Sequence, residues 1–194
     1  MEHSRFEVRF AGSGGQGIIL AGLIFAEAAT LEGYYVTNTQ SYGPEARGGA
    51  SRSDVVISDT PIDYPKTISP DILICLNQSS CDLYFKDLRE DGILIVDPEL
   101  IDQVPTERSI KIPFRKISSK ITGNGVSANM VALGALIQIT KKIPQRVVEK
   151  AIEKRAPKGT VERNIRAFRA GLREAKKVDL ESLPKRILEG EEEI

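Results

Sequence analysis

Glycines at 12, 14 and 17 in "AGSGGQGIILAG" (residues 11–22) keep the GxGxxG spacing of a dinucleotide-binding turn. Glycine there lets the backbone bend tightly and approach a ligand closely. A helix opening behind such a turn aims unpaired N–H groups and a positive dipole end at an anion. Gly12, Ser13, Gly14, Gly15, Gln16 and Gly17 are therefore candidate binding positions. NAD requires, in addition, an acidic residue near the end of the second strand to hold the ribose hydroxyls. That strand ends "VTNTQ"; Glu32 comes too early and Glu45 falls in the next loop. Arg47 lies too far along that loop for an NADP site, and no Lys-Ser or Lys-Thr follows the glycines to make a Walker loop. The turn reads either as an anion site of another kind or as a tight strand-to-helix turn with no ligand.

A second glycine-rich loop, "SYGPEARGGASRS" (41–53), follows the second expected strand. If the first two strands are parallel, both loops leave one sheet edge and face each other across a cleft. Gly48 and Gly49 strip side chains from around Arg47, whose planar fork suits a phosphate. Arg52 is a candidate second charge. The plainer alternative pairs Arg47 with Glu45 on the surface. A third patch, "TGNGVSAN" (122–129), sets Asn124 and Asn129 before a long apolar segment, where they either cap a helix or orient a polar ligand.

Other chemistry is sparse. Cys75 and Cys81 form no CxxC pair and are too few for an iron–sulfur cluster, and Cys75 in "DILICLN" reads as a small core residue. His3, the single histidine, leaves no histidine-based catalytic or zinc site. Lys+Arg and Asp+Glu both total 27, so the basic surplus of a general nucleic-acid binder is missing. No apolar run of about eighteen residues occurs, so no membrane span is expected. "MEHSRFEVRF" lacks a signal-peptide core, and the expected location is the cytoplasm.

The elements that must carry these loops follow from periodicity. Alternation over 5–12 predicts a first strand, and 18–31 a helix so apolar that the sheet and a second layer must both cover it. Further strands are expected at 34–40, 54–58, 71–77, 92–98 and 108–114, those at 71–77 and 92–98 apolar enough to be buried on both faces. Helices are expected at 79–89, at 126–142, from Pro144 as a first helical residue to 156, and after a capping Thr160. The class is α/β: a mainly parallel, Rossmann-like sheet covered by helices on both faces, with a helical C-terminal third. Residues 1–177 are expected to form one domain and 178–194, ending in the acidic "EGEEEI", a loosely ordered extension.

With these segments in view, the chain resembles the gamma subunit of 2-oxoacid:ferredoxin oxidoreductases, a family acting on pyruvate, 2-oxoglutarate, 2-oxoisovalerate or indolepyruvate. The resemblance runs from about Phe6 to Lys176. It rests on "GSGGQGIILAG", "QSYGPEARGGASRSDVVIS", "DILICLNQ" and "GNGVSANMVALGAL" with the trailing "NIRAFRAG". "SYGPEARGG" with "IDYP" (62–65) is most similar to the 2-oxoglutarate members. The resemblance implies a subunit of a complex that turns a 2-oxo acid and coenzyme A into acyl-CoA and CO2 while reducing ferredoxin. It implies alpha, beta and delta partner subunits that hold thiamine diphosphate with its Mg ion and the iron–sulfur clusters. The chain itself has no thiamine motif, no cysteine cluster and no catalytic residue of its own. Carried over by motif, residues 12–17 line a phosphate-facing turn for coenzyme A, Arg47, Gly48 and Gly49 form the opposing loop, and Asn124 and Asn129 lie near the rim. A purely structural docking subunit is the alternative, and the apolar segment 18–31 suits a partner surface under either reading.

Overall fold

The computed structural model describes residues 5–42 and 50–185. Among them, β1 (Phe6–Ser13), β2 (Tyr35–Ser41), β3 (Ala50–Ser58), β4 (Ile72–Cys75), β5 (Ile93–Val96) and β6 (Ser109–Lys111) form one sheet. Its order is β2-β3-β1-β4-β5-β6. Parallel pairs join β1, β4, β5 and β6, whereas β3 is antiparallel to both β1 and β2. Every described strand except β3 thus points the same way, and the sheet is mostly parallel.

The helices are α1 (Ile18–Leu31), α2 (Gln78–Tyr84), α3 (Phe114–Thr122), α4 (Ala128–Thr140), α5 (Gln145–Arg155) and α6 (Val161–Ala175). Alternation along β1 sends Val8 and Phe10 into the larger core, under α1 and the C-terminal helices. Arg9 and Ala11 belong to the opposite face, which is covered as well, around Tyr84 and Leu88. Arg9 is consequently buried, and its guanidinium forks onto Asp54 of β3 at 2.7 and 3.0 Å and also meets Asp87. Burial opposes that charge, but the two carboxylates outweigh it and hold the Arg9 pKa above its ordinary value.

The apolar α1 receives its second cover from the chain itself. It packs against β1, β2 and β3 on one side and against α4 and α5 on the other. The partner surface expected along it shrinks to a half-buried strip at Ile19, Leu20 and Leu23, with Leu31 exposed at the far end. α4 is apolar on nearly all sides because α1, α3 and α6 surround it. Helices α4 and α6 approach so closely that a Cβ on Gly134 would lie 2.1 Å from the Phe168 carbonyl oxygen, and one on Gly171 2.0 Å from that of Val131. Glycine in "VALGAL" and "FRAG" is what allows the helix backbones to touch.

Several boundaries differ from the sequence reading. β3 begins at Ala50 rather than 54, because its extra residues pair with both neighbours. The stretch 108–114 is strand only to Lys111, and buried Phe114 opens α3, whose apolar stripe of Phe114, Ile117 and Ile121 begins where the strand-like alternation of Ile110 and Ile112 leaves off. Pro144 stands before α5 as its cap rather than inside it. The Thr160 hydroxyl donates to the Pro157 carbonyl instead of capping α6. Past α6, Val178 and Leu183 pack on the core, and the Pro184 carbonyl accepts from Arg108 at 2.9 Å.

Candidate functional site

β1 and β4 lie side by side, yet the chain leaves β1 toward β2 and leaves β4 toward β5 on the other flank. Such a reversal opens a crevice at the carboxyl ends of the two strands, where open α/β sheets hold their ligands. Ser13–Gly17 forms the lip of that crevice. Gly15 and Gly17 have φ of 87° and 72°, left-handed values that favour glycine. The Gln16 side chain ties the turn together: its Oε1 accepts from the Ser13 N–H at 2.7 Å and its Nε2 donates to the Leu76 carbonyl at 2.9 Å, just past β4. A Cβ on Gly12 would sit 2.5 Å from that Oε1, so glycine at 12 makes room for the strap. Gly14 and Gly15 remain exposed.

Behind the turn, α1 starts at Gly17 with no side-chain cap and no acidic residue in its first turn. Its leading N–H groups therefore keep their positive field directed outward. Asn129 braces this start from below. It is buried, and its Nδ2 donates to the Gly17 carbonyl at 2.9 Å across 112 residues of sequence. Asn129 thus positions the turn from the inside. Asn124 caps the short 3-10 turn Gly125–Ser127, accepting from the Val126 N–H at 3.4 Å.

Two hollows flank the glycines. One, of about 390 Å³, is bounded by Gly14, Gly15, Leu20, Leu23, Tyr42 and Ser51. The other, of about 340 Å³, lies over the crevice among Gly15, Gln16, Leu76, Arg115, Gly125 and Val126. Arg115 was not singled out from the sequence. Its backbone N–H donates to Asp97 Oδ2 at 2.8 Å, fixing the start of α3, while its exposed guanidinium has no partner among the described residues. The signal that could have found it is positional: an arginine just beyond the carboxyl end of a parallel strand.

Because β3 runs back between β1 and β2, both ends of the second glycine loop lie at this same edge. Ser13 is opposite Ala50 and Ser41 opposite Arg52. Tyr42, the last described residue before the loop, lines the first hollow. Arg47, Gly48 and Gly49 fall outside the described residues. Arg52 turns to the other face, 5.3 Å over the Tyr84 ring and 3.6 Å from the Asp54 carboxylate, and takes part in the Arg9 network rather than in the cleft.

The donor set for metals is small. Cys75 and Cys81 are both fully buried among Leu73, Leu94 and Val96, and burial pushes the Cys75 thiol well above its usual range. Two core cysteines do not fit a cluster that needs four thiolates. No helix among the described residues is long and apolar enough to cross a membrane.

Comparison with known proteins converges on one family. A family model described as pyruvate ferredoxin/flavodoxin oxidoreductase matches residues 7–174. The 2-oxoglutarate synthase subunit KorC of Methanocaldococcus jannaschii is 49% identical over 179 residues, covering 90% of this chain and 96% of the relative. The crystal structure of a keto/oxoacid ferredoxin oxidoreductase gamma subunit from Geobacter sulfurreducens superposes with a TM-score of 0.80 at 41% identity, over 89% of this chain and 97% of that one. A 2-oxoglutarate:ferredoxin oxidoreductase from Magnetococcus marinus, solved with 2-oxoglutarate, coenzyme A and succinyl-CoA bound, shares the fold. Its TM-score is 0.81 at 24% identity, over 94% of this chain and 33% of that chain.

Proposed function

We propose, from the premise that this chain belongs to the pyruvate ferredoxin/flavodoxin oxidoreductase family as a gamma-type subunit, that it helps hold coenzyme A for a 2-oxoglutarate-oxidising complex of the cytoplasm. The reaction joins 2-oxoglutarate and coenzyme A to give succinyl-CoA and CO2, with the electrons passed to ferredoxin. Thiamine diphosphate with its Mg ion and the iron–sulfur clusters, held by alpha, beta and delta partners, supply decarboxylation and electron transfer. This chain contributes binding and assembly.

The observation that carries the reading is the uncapped start of α1 behind an exposed glycine turn, at the crevice where the strand order reverses. Coenzyme A offers a pyrophosphate and a ribose phosphate. The free N–H groups of the turn suit the first, and the fixed charges of Arg47 and Arg115 suit both. The half-buried strip Ile19, Leu20 and Leu23 beside the turn gives an uncharged arm of the ligand an apolar wall. Gln16 and Asn129 hold the cradle in shape while their amides bond inward.

A purely structural subunit is the competing reading, and those inward-turned amides are what favour it. The two part company over phosphate. A charge-assisted contact contributes about 1.5–3 kcal/mol, so Arg47→Ala should raise the apparent KM for coenzyme A about tenfold or more in the assembled enzyme. kcat and complex assembly should hold. An unchanged KM, or a complex that falls apart, sinks the coenzyme A role. Assay of the native complex against pyruvate, 2-oxoglutarate and 2-oxoisovalerate should give the highest kcat/KM with 2-oxoglutarate. Recovery of the chain as a lone, inactive protein under gentle conditions would contradict the subunit role itself.

A further inference from the structure

The balance of 27 basic and 27 acidic side chains conceals a segregation. Between Lys141 and Lys177 the chain carries thirteen Lys/Arg and four Asp/Glu, a local surplus of nine positive charges. This stretch holds α5 and α6. The inner side of α6 is fixed by its contact with α4, where Phe168 and Gly171 are buried. Arg166, Arg169, Arg173 and Lys176 consequently share the outer side at spacings of three and four residues, and all four are exposed. Like charges so spaced repel along a helix and lower its stability.

Contacts within the chain relieve little of that repulsion. Arg169 alone among the four meets an acid, donating to both Glu149 oxygens of α5 at 2.8 Å, and this bridge ties the two helices into one surface. Arg166 donates to the Ile121 carbonyl. Arg173 and Lys176, with Arg146 and Lys150 on α5, have no partner among the described residues. Arginine forks match carboxylates in pairs and are enriched where proteins meet.

We infer that the outer face of α5 and α6 docks onto an acidic surface of another subunit of the same oxidoreductase. The inference rests on the subunit reading above. Carboxylates rather than nucleic-acid phosphates are the counterpart, because the chain as a whole lacks the basic surplus of a nucleic-acid binder and belongs to a family of multi-subunit enzymes.

The test uses the complete complex, prepared with the wild-type chain, with Arg146→Glu/Arg173→Glu/Lys176→Glu, or with the milder Arg146→Gln/Arg173→Gln/Lys176→Gln. Retention of this subunit is followed by native mass spectrometry between about 0.05 and about 0.5 M salt. The wild-type chain should dissociate increasingly as salt rises. The reversed variant should bind about tenfold or more weakly at low salt, with the neutral variant between them. Lys86→Glu/Lys111→Glu, at exposed positions off α5 and α6, should behave as wild type. The free neutral variant should melt no lower than wild type, since its helix repulsion is relieved without new like-charged pairs, which separates lost docking from lost folding. Equal retention and salt response of all variants overturns the docking face and leaves the subunit role standing. A wild-type chain that joins no partner at any salt removes the subunit role itself. Binding of a DNA duplex that the reversed variant loses, with assembly intact, also overturns the inference.

Discussion

Replacing Gln16 separates the shape of the glycine turn from its charge. Gln16→Ala removes the acceptor of the Ser13 N–H at 2.7 Å and the donor to the Leu76 carbonyl at 2.9 Å. Each such bond contributes about 0.5–1.5 kcal/mol, and water reaches this half-buried site in part, so the expected loss is about 1–2 kcal/mol. In a chain of this length that lowers Tm by about 2–8 °C, measurable by circular dichroism. Gln16→Glu keeps the acceptor, loses the donor and sets a carboxylate before the helix start. At about 5 Å from a phosphate the repulsion is about 1–3 kcal/mol. In the assembled enzyme, KM for coenzyme A should then rise about five- to a hundredfold, more than for Gln16→Ala, with kcat little changed. A Gln16→Ala chain that melts within about 1 °C of wild type would refute the strap. Equal KM values for Gln16→Glu and wild type would refute the view that an anion sits before this turn.

Arg9→Met leaves the Asp54 carboxylate buried without its fork; Arg52 at 3.6 Å compensates in part, so urea unfolding should register a loss of about 3 kcal/mol. A loss below about 1 kcal/mol would contradict the network. Gly134→Ala drives a methyl into the Phe168 carbonyl and should lower stability by about 1–3 kcal/mol, whereas Gly14→Ala, with open space around its Cβ, should stay within about 0.5 kcal/mol. Hydrogen bonds from Lys154 and Arg155 hold the Glu27 carboxyl below its ordinary pKa of 4.5. Its stabilising effect is therefore complete above pH 4.5 and disappears as pH falls through the folded value. Thermal melts across pH 6 to pH 3 should decline less in Glu27→Gln than in wild type, and parallel curves would count against the pairing.

Glycine spacing, period-2 alternation and unbroken apolar runs are local properties. The strand-turn-helix at 6–31, the buried strands around Leu73 and Leu94, and the apolar helix at 128–140 were accordingly legible in the amino-acid order. The family was legible too, because "SYGPEARGG" and "GSGGQG" are uncommon combinations of residues. α3 was not, since the alternation of Ile110, Ile112 and Phe114 extends a strand pattern into its first residue, and its own stripe of Phe114, Ile117 and Ile121 is short.

Which groups meet at the edge depended on strand pairing, and pairing is a choice among distant partners. The return of β3 between β1 and β2 brings Ala50 beside Ser13. The burial of Arg9 follows from α2 closing over the second face, where alternation alone leaves a charge open to water or covered. Gln16 and Asn129 looked like ligand contacts in a list of polar residues, yet their partners, Leu76 and Gly17, lie 60 and 112 residues away. Composition and period determined what the elements are; the contacts between remote elements determined which side chains build the cradle and which backbone groups are left to face the crevice.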